Sequence, residues 1–147
     1  MISIVDTKQV VQAFELGKRA ECKVMKKLIE EVEGESIRLD AGFNDRELVN
    51  KIAKLEMIPY VFPKKNNKLN ENLAWKNMYL ELFYDVMTWL TEYHQRSHCE
   101  SFHSSFKRKN PLLRKINSLP QLSQVLARII LHNRRRISYF DKLAKAN

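Results

Sequence analysis

Apolar positions recur along this chain with two different spacings, and the alternation between them predicts its elements. Ile2 to Val5 is apolar and β-branched, and Val10 to Phe14 has similar character, which predicts one strand within residues 2–16. Val24, Leu28, Ile29 and Val32 then fall on one face, with Lys23, Lys26, Lys27, Glu30 and Glu31 outside. This predicts a helix over Ala20–Glu33, closed by Gly34. Ser36–Leu39 reads as a short strand that delivers Asp40 at its C-terminal end, and Ala41-Gly42-Phe43 turns the chain. Asn44 followed by Glu47 has the spacing of a capping box, and Leu48, Ile52 and Leu55 give the next helix an apolar stripe that ends near Glu56. Ile58 to Phe62 predicts another strand, with Pro59 at its start or on an edge, and the polar run Pro63–Asn72 predicts a loop.

From Leu73 onward, Trp75, Tyr79, Leu82, Val86, Trp89 and Tyr93 recur every three or four residues, predicting one long helix that packs an aromatic stripe against the sheet. A further helical stretch carries residues 93–109 and is interrupted at Asn110-Pro111. Leu122, Val125, Leu126, Ile129, Ile130, Ile137 and Phe140 mark a last helix, with Pro120 near its start. Asn133 falls in the middle of that stripe, so it is expected to be hydrogen-bonded in the interior or to face a site. The order of elements argues for a helix-rich α/β fold with mostly parallel strands.

Composition agrees with this pattern. The 147 residues, 44% hydrophobic, suffice for one core, and with only three Gly and four Pro long helices are favoured over a many-stranded sandwich. Lys, Asp or Glu interrupts every apolar run before membrane-spanning length, and residues 1–5 are too short for an apolar targeting core, so a soluble cytoplasmic protein is expected. Cys22 and Cys99, far apart in sequence, fit a reducing compartment.

Charge is more informative. Residues 1–92 hold 14 Lys/Arg against 15 Asp/Glu, whereas residues 93–147 hold 12 against 2. A basic third following a balanced two-thirds is the electrostatic footprint of a nucleic-acid surface, because clustered cations release counterions from phosphates. The same imbalance also suits a basic tail without a nucleic-acid partner.

Within that third, at 100° per residue, Tyr93, Arg96, Glu100 and Lys107 project from one stripe about 60° wide, so helix geometry makes them one site. A carboxylate between two cations can be a solvated salt-bridge ladder. Here the stripe also holds a phenol, and Glu100 is one of only two acids in residues 93–147. The pattern Tyr93-x2-Arg96-x3-Glu100-x6-Lys107 resembles the Tyr-Arg-Glu-Lys signature of transposases of bacterial and archaeal insertion sequences, members of the aspartate-aspartate-glutamate (DDE) class. Tyr93-His94-Gln95-Arg96-Ser97, Glu100-Ser101-Phe102, Lys107-Arg108-Lys109 and His132-Asn133 are phrases similar to the family's. Leu39-Asp40-Ala41-Gly42-Phe43-Asn44 is similar to the strand end that holds its second catalytic aspartate, and Ile58 to Asn67 resembles the strand and loop that follow.

The resemblance implies a ribonuclease-H-like fold, with residues 1–110 as a partial catalytic domain lacking its first strands and residues 111–147 as its basic C-terminal helical segment. It implies DNA cleavage and strand transfer with two divalent ions, Mg²⁺ or Mn²⁺, for which Asp40 and Glu100 are catalytic metal ligands. Tyr93, Arg96 and Lys107 would grip phosphate oxygens at transposon ends, with Arg108, Lys109, Arg134 and Arg135 extending the DNA surface. Implied partners are DNA, a second copy of the chain or a full-length transposase, with no membrane and no small-molecule substrate. Implied localisation is the prokaryotic cytoplasm, at the nucleoid through DNA.

The family places its first aspartate two further strands and a helix before the second. Asp6 precedes Asp40 by 34 residues, which leaves room for little more than one strand and one helix, so a catalytically incomplete C-terminal part of a transposase is expected. The alternative is a non-catalytic DNA-binding or regulatory protein acting on a full-length transposase, and a third reading is a basic helical protein without a DNA role. His94, His98, Cys99 and His103 form a metal-like cluster, but they point in different directions around a helix and do not converge on zinc. Cys99, Phe102 and Phe106 are expected to pack inward.

Overall fold

Strand, helix and loop alternate much as the apolar spacing predicts. A computed structural model describes residues 1–16, 20–65, 68, 73–110 and 118–146. The chain forms two compact units, one of Met1, Ser3–Leu16 and Ser97–Asn147, the other of Ile2 and Gly17–Arg96.

The second unit is built on a parallel pair. β3 (Ser36–Leu39) and β4 (Ile58–Val61) run side by side with Ile37 opposite Pro59 and Leu39 opposite Val61. A parallel pair needs a crossover, and α2 (Arg46–Lys54) supplies it. Ile37, Leu39 and Val61 are buried, as are Leu48, Val49 and Ile52 of α2, so strand alternation and helical period put one apolar face of each element into the core. α1 (Glu21–Leu28) adds Val24, Met25 and Leu28 and continues as a single 3-10 turn over Ile29–Glu31, shorter than the helix over Ala20–Glu33 that the sequence suggests.

Capping in this unit differs from the sequence reading. The N-cap of α2 is Asp45, which accepts from the Leu48 N–H at 2.9 Å, not Asn44. Two cap-capable residues stand in tandem, and the one directly before the helix takes the role. Asn44 instead donates to the Phe62 carbonyl at 3.0 Å and to the Tyr79 hydroxyl at 3.1 Å. Burial alone would raise the Asp45 carboxyl, but the Leu48 N–H and Lys26 outweigh it and hold it below the ordinary carboxylate range.

The long aromatic helix is two helices, α3 (Leu73–Tyr84) and α4 (Val86–His94). Asp85 breaks them apart: its backbone leaves the helical region, and its side chain accepts from the Thr88 N–H at 3.0 Å and starts the new helix. Trp75, Tyr79, Leu82, Trp89 and Tyr93 of the expected stripe are buried, while Val86 beside the break is 45% exposed.

The first unit opens with a hairpin where the sequence suggests one strand. β1 (Ile2–Val5) pairs with β2 (Val11–Glu15), and the connection between them is too short for a parallel crossover, so the strands are antiparallel. Asp6 makes the turn. Its Oδ1 accepts from the Val10 N–H at 2.8 Å, its Oδ2 from Gln12 Nε2 at 3.2 Å, and Gln9 takes a φ of 61° to close the loop. The unpredicted break has a plain origin, since Asp6-Thr7-Lys8-Gln9 is a polar interruption whose turn chemistry rests on a side chain.

Against the hairpin pack α5 (Ser97–Lys109) and α6 (Ser118–Ala146). Phe102, Phe106, Val125 and Ile129 join Val11 in one core. Asn133 reads β2 as a neighbouring strand would: its Oδ1 accepts from the Val11 N–H and its Nδ2 donates to the Val11 carbonyl, both at 2.9 Å. His132 contacts the Gln9 carbonyl at 2.8 Å, and Arg136 donates to the Lys8 carbonyl at 2.8 Å. One turn of α6 thus satisfies backbone groups that a two-stranded sheet leaves open. Asn110 stands at the end of α5 as expected from Asn110-Pro111, while Pro111 itself lies outside the described residues.

Candidate functional site

β3 ends in Asp40, and the alternation that buries Leu39 turns Asp40 to the surface. Its side chain caps the 3-10 turn Ala41–Phe43, accepting from the Ala41 N–H at 2.7 Å through Oδ1. Arg96 Nη1 lies 3.8 Å from the same oxygen. The Arg96 guanidinium also sits over the Tyr93 ring, 5.3 Å from its centroid. Three residues singled out from the sequence, Asp40, Tyr93 and Arg96, therefore come together within one unit.

Tyr93 is 6% exposed, stacked on Trp89 at 5.3 Å and tilted against Phe62 at 5.4 Å. Its ring belongs to the core and serves as the platform on which Arg96 rests.

Arg38, which carries no motif in the sequence, holds this group in place. It pairs with the Glu92 carboxylate and donates through Nε to the Glu92 carbonyl at 3.0 Å, tying β3 to α4. Two residues after Arg38 comes Asp40, and Tyr93 directly follows Glu92, so this pairing sets the register between the strand end and the arginine turn. No local signal in the sequence marks this tie, because Glu92 lies 54 residues from Arg38.

The single stripe expected for Tyr93, Arg96, Glu100 and Lys107 does not form on one helix. α4 stops at His94, and the N–H groups of Gln95 and Arg96 reach back only three residues, to the carbonyls of Glu92 and Tyr93 at 3.2 and 3.1 Å. The turn tightens there, and α5 starts afresh at Ser97. Tyr93 and Arg96 stand in the unit that holds Asp40, whereas Glu100 and Lys107 stand on α5. Seven residues apart, Glu100 and Lys107 still share one face of α5, and both are exposed. Glu100 lies in the first turn of α5, where the helix dipole favours a carboxylate, and Lys107, Arg108 and Lys109 occupy the last turn, where it favours cations.

Two of the remaining polar candidates, His103 and Cys99, are structural. His103 meets the Ser3 hydroxyl at 3.2 Å, and the Cys99 thiol points to the Ser3 carbonyl at 4.0 Å, its pKa raised by burial. Burial, Lys107 and the N-terminal amine lower the His103 pKa below the ordinary imidazole value. The unfolded chain then binds the proton more tightly, so this unit loses stability as pH falls from about 6.5 through the folded-state pKa. Thermal melts of the chain at stepwise lower pH are expected to show a falling Tm in that window, flattened in His103→Gln. An unchanged slope in the variant would remove His103 as the cause.

Donor chemistry bears on a metal. Asp40 and Glu100 offer hard oxygen donors of the kind that Mg²⁺ and Mn²⁺ take, and the contacts on Asp40 Oδ1 do not exhaust a carboxylate's capacity. Among the described residues no three His, Cys, Asp or Glu converge as a ligand set, so the residues fit part of such a site. Asp6 has both oxygens engaged in its turn.

The first unit concentrates the charge. It holds 12 Lys and Arg against 4 Asp and Glu, while the other holds 14 against 13. A helix-rich α/β chain with a strand-end aspartate beside an arginine, and with its cations gathered in one unit, is of the class that handles phosphate esters of nucleic acids. The profile of the transposase DDE domain matches residues 1–137, and the chain belongs to that family. No curated protein and no solved structure matches it. Its fold is accordingly the helix-rich α/β, ribonuclease-H-like fold of that domain, and its function that of a transposase. DNA is the partner the family implies, and divalent metals are what it generally uses. No helix among the described residues is long and apolar enough to cross a membrane.

Proposed function

We propose that this chain is an insertion-sequence transposase that binds transposon ends and contributes two carboxylates, Asp40 and Glu100, to a divalent-metal site it does not complete by itself. The observation that carries this reading is Asp40 at the exposed end of β3 with Arg96 against it, in a chain of the DDE family. Bound there, Mg²⁺ or Mn²⁺ would activate an attacking oxygen and stabilise a leaving one. Arg96, fixed on the Tyr93 ring, is suited to grip a phosphate oxygen close to Asp40, and Lys107 offers a second such grip on the face of α5 that carries Glu100. Arg108 and Lys109 beside it, with Arg134 and Arg135 on α6, position DNA through its backbone.

Asp6 serves, in this reading, the hairpin turn through the Val10 N–H and the Gln12 amide and not the metal site, which leaves the site catalytically incomplete. Calorimetry is expected to show Mn²⁺ uptake that weakens at least about tenfold in Asp40→Asn and in Glu100→Gln. The purified chain with Mn²⁺ is expected to bind DNA without nicking it. Nicking that Asp40→Ala and Glu100→Ala each abolish would show a complete site and overturn the proposal. The engagement of Asp6 also favours a second reading, a non-catalytic DNA-binding protein that regulates a full-length transposase. Absence of any Mn²⁺ uptake, with DNA binding intact, would select it.

A further inference from the structure

The break at Asp85 opens a cavity of about 510 Å³ within the second unit, lined by three aromatic residues, Tyr60, Tyr84 and Trp89, and by two acids, Glu81 and Asp85. A space of several hundred Å³ with aromatic walls and a few polar groups has the size and make-up of a small-molecule site. Its wall is held from the protein side. Trp89 stacks on Tyr93 at 5.3 Å and meets Tyr60 at 5.6 Å, and the Arg38 guanidinium lies over the Tyr60 ring at 5.6 Å.

Charge selects the ligand. No Lys or Arg lines the cavity, and residues 80–92 carry three acids and no base in a protein of net charge +9. Arg38, behind Tyr60, is already paired with Glu92. Hydrogen bonds from Thr88 hold the Asp85 carboxyl below the ordinary carboxylate range, so it is ionised at neutral pH. Burial, then the Glu92 and Glu81 carboxylates, push the Tyr60 hydroxyl pKa up, which keeps that ring a neutral phenol. The faces of such rings carry partial negative charge and attract cations. Rings and carboxylates therefore act in the same sense, and both repel the phosphates of nucleic acids and anionic lipids.

A second observation adds a polar contact. Trp89 is 3% exposed, and its buried Nε1–H finds no hydrogen-bond acceptor. A buried donor in that state is uncommon, and a ligand oxygen entering the cavity would satisfy it.

We propose that this cavity binds a small organic cation: an ammonium or guanidinium group on an apolar body, with a carbonyl or hydroxyl oxygen that accepts from the Trp89 indole. The charged nitrogen rests against the aromatic rings, and Glu81 and Asp85 supply the countercharge. None of these five residues belongs to the group around Asp40, so the inference does not rest on the transposase reading.

The test uses the full chain labelled with ¹⁵N and two probes of one shape, acetylcholine and its uncharged isostere 3,3-dimethylbutyl acetate. Trp75 and Trp89 are the only tryptophans, so the indole N–H signal that disappears in Trp89→Phe identifies Trp89. Acetylcholine is expected to shift that signal saturably, and the isostere to bind at least about tenfold more weakly. Glu81→Gln combined with Asp85→Asn removes both charges at nearly constant shape and keeps a residue able to cap α4. This variant is expected to lose at least about tenfold in affinity for acetylcholine and to bind the isostere as the wild type does, with an unchanged circular dichroism spectrum. Tyr84→Ala, at a position 95% exposed, is expected to weaken acetylcholine severalfold in a chain that stays folded. An indole signal that acetylcholine does not move, equal affinity for the two probes, or a charge-free variant that binds acetylcholine like the wild type would each overturn the proposal. N-acetyl-arginine amide binding more than tenfold tighter than acetylcholine would also overturn it, by assigning the cavity to a basic side chain of a protein.

Discussion

Phe102→Ala is expected to cost about 3–5 kcal/mol and to unfold the unit that carries Glu100. Phe102 is fully buried, and its ring meets Phe106 at 5.2 Å and the edge of His132 at 4.9 Å. Among the described residues, Val11, Phe106, Val125 and Ile129 are buried in one cluster with it, backed by the partly buried Val5, Phe14 and Leu16. Aromatic and β-branched neighbours held in place by two helices and a hairpin collapse only partly into the space left by a phenyl ring, so a cavity remains. Domain stabilities run to about 5–15 kcal/mol, and the substitution removes a large share of that. Denaturant titration followed by near-ultraviolet circular dichroism checks it. Leu131→Ala, at a position 54% exposed, is the matched control and is expected to change stability by no more than about 0.5 kcal/mol. Equal losses in the two variants would mean that α5 does not anchor the unit.

Alanine at Lys107, Arg108 and Lys109 together is expected to weaken DNA binding on the order of 10²-fold near physiological salt. All three side chains are exposed on the last turn of α5. Each phosphate that is no longer neutralised should lower the slope of log K against log salt by about 0.9, so the slope of the triple variant is expected to fall by up to about 3. The same cations favour the C-terminus of α5 by about 0.3–1 kcal/mol each, so helix content must be measured alongside. A full slope in a folded triple variant would place the DNA elsewhere, with Arg134 and Arg135 the next to test.

Both expectations depend on features of different legibility. Ser36–Leu39 followed by Asp40 is readable because a short apolar strand ending in a turn is a local pattern, and Phe102, Phe106 and Asn133 are readable because helical period alone puts them inward. The breaks are not. Asp85 and the Gln95-Arg96 turn interrupt stretches whose apolar spacing runs straight through, and spacing is blind to a side chain or backbone turn that takes over a helical hydrogen bond. Asp6 hides a hairpin turn in the same way. Arg38 gives no signal of its role because its partner Glu92 lies 54 residues away and no local pattern connects them.

The elements, the basic third and the residues of the candidate site are thus set by the chain read in order, since period, charge and motif spacing are local properties. Which of those residues meet is set by packing. The fold gathers Asp40, Arg96 and Tyr93 through the Arg38–Glu92 tie, puts Glu100 and Lys107 on a separate helix, commits Asp6 and Arg136 to the hairpin, and leaves one stripe of α6 exposed. The physical reason is that hydrogen bonds and burial are settled between elements distant in sequence, where competition for the same donor or the same core position has no local trace.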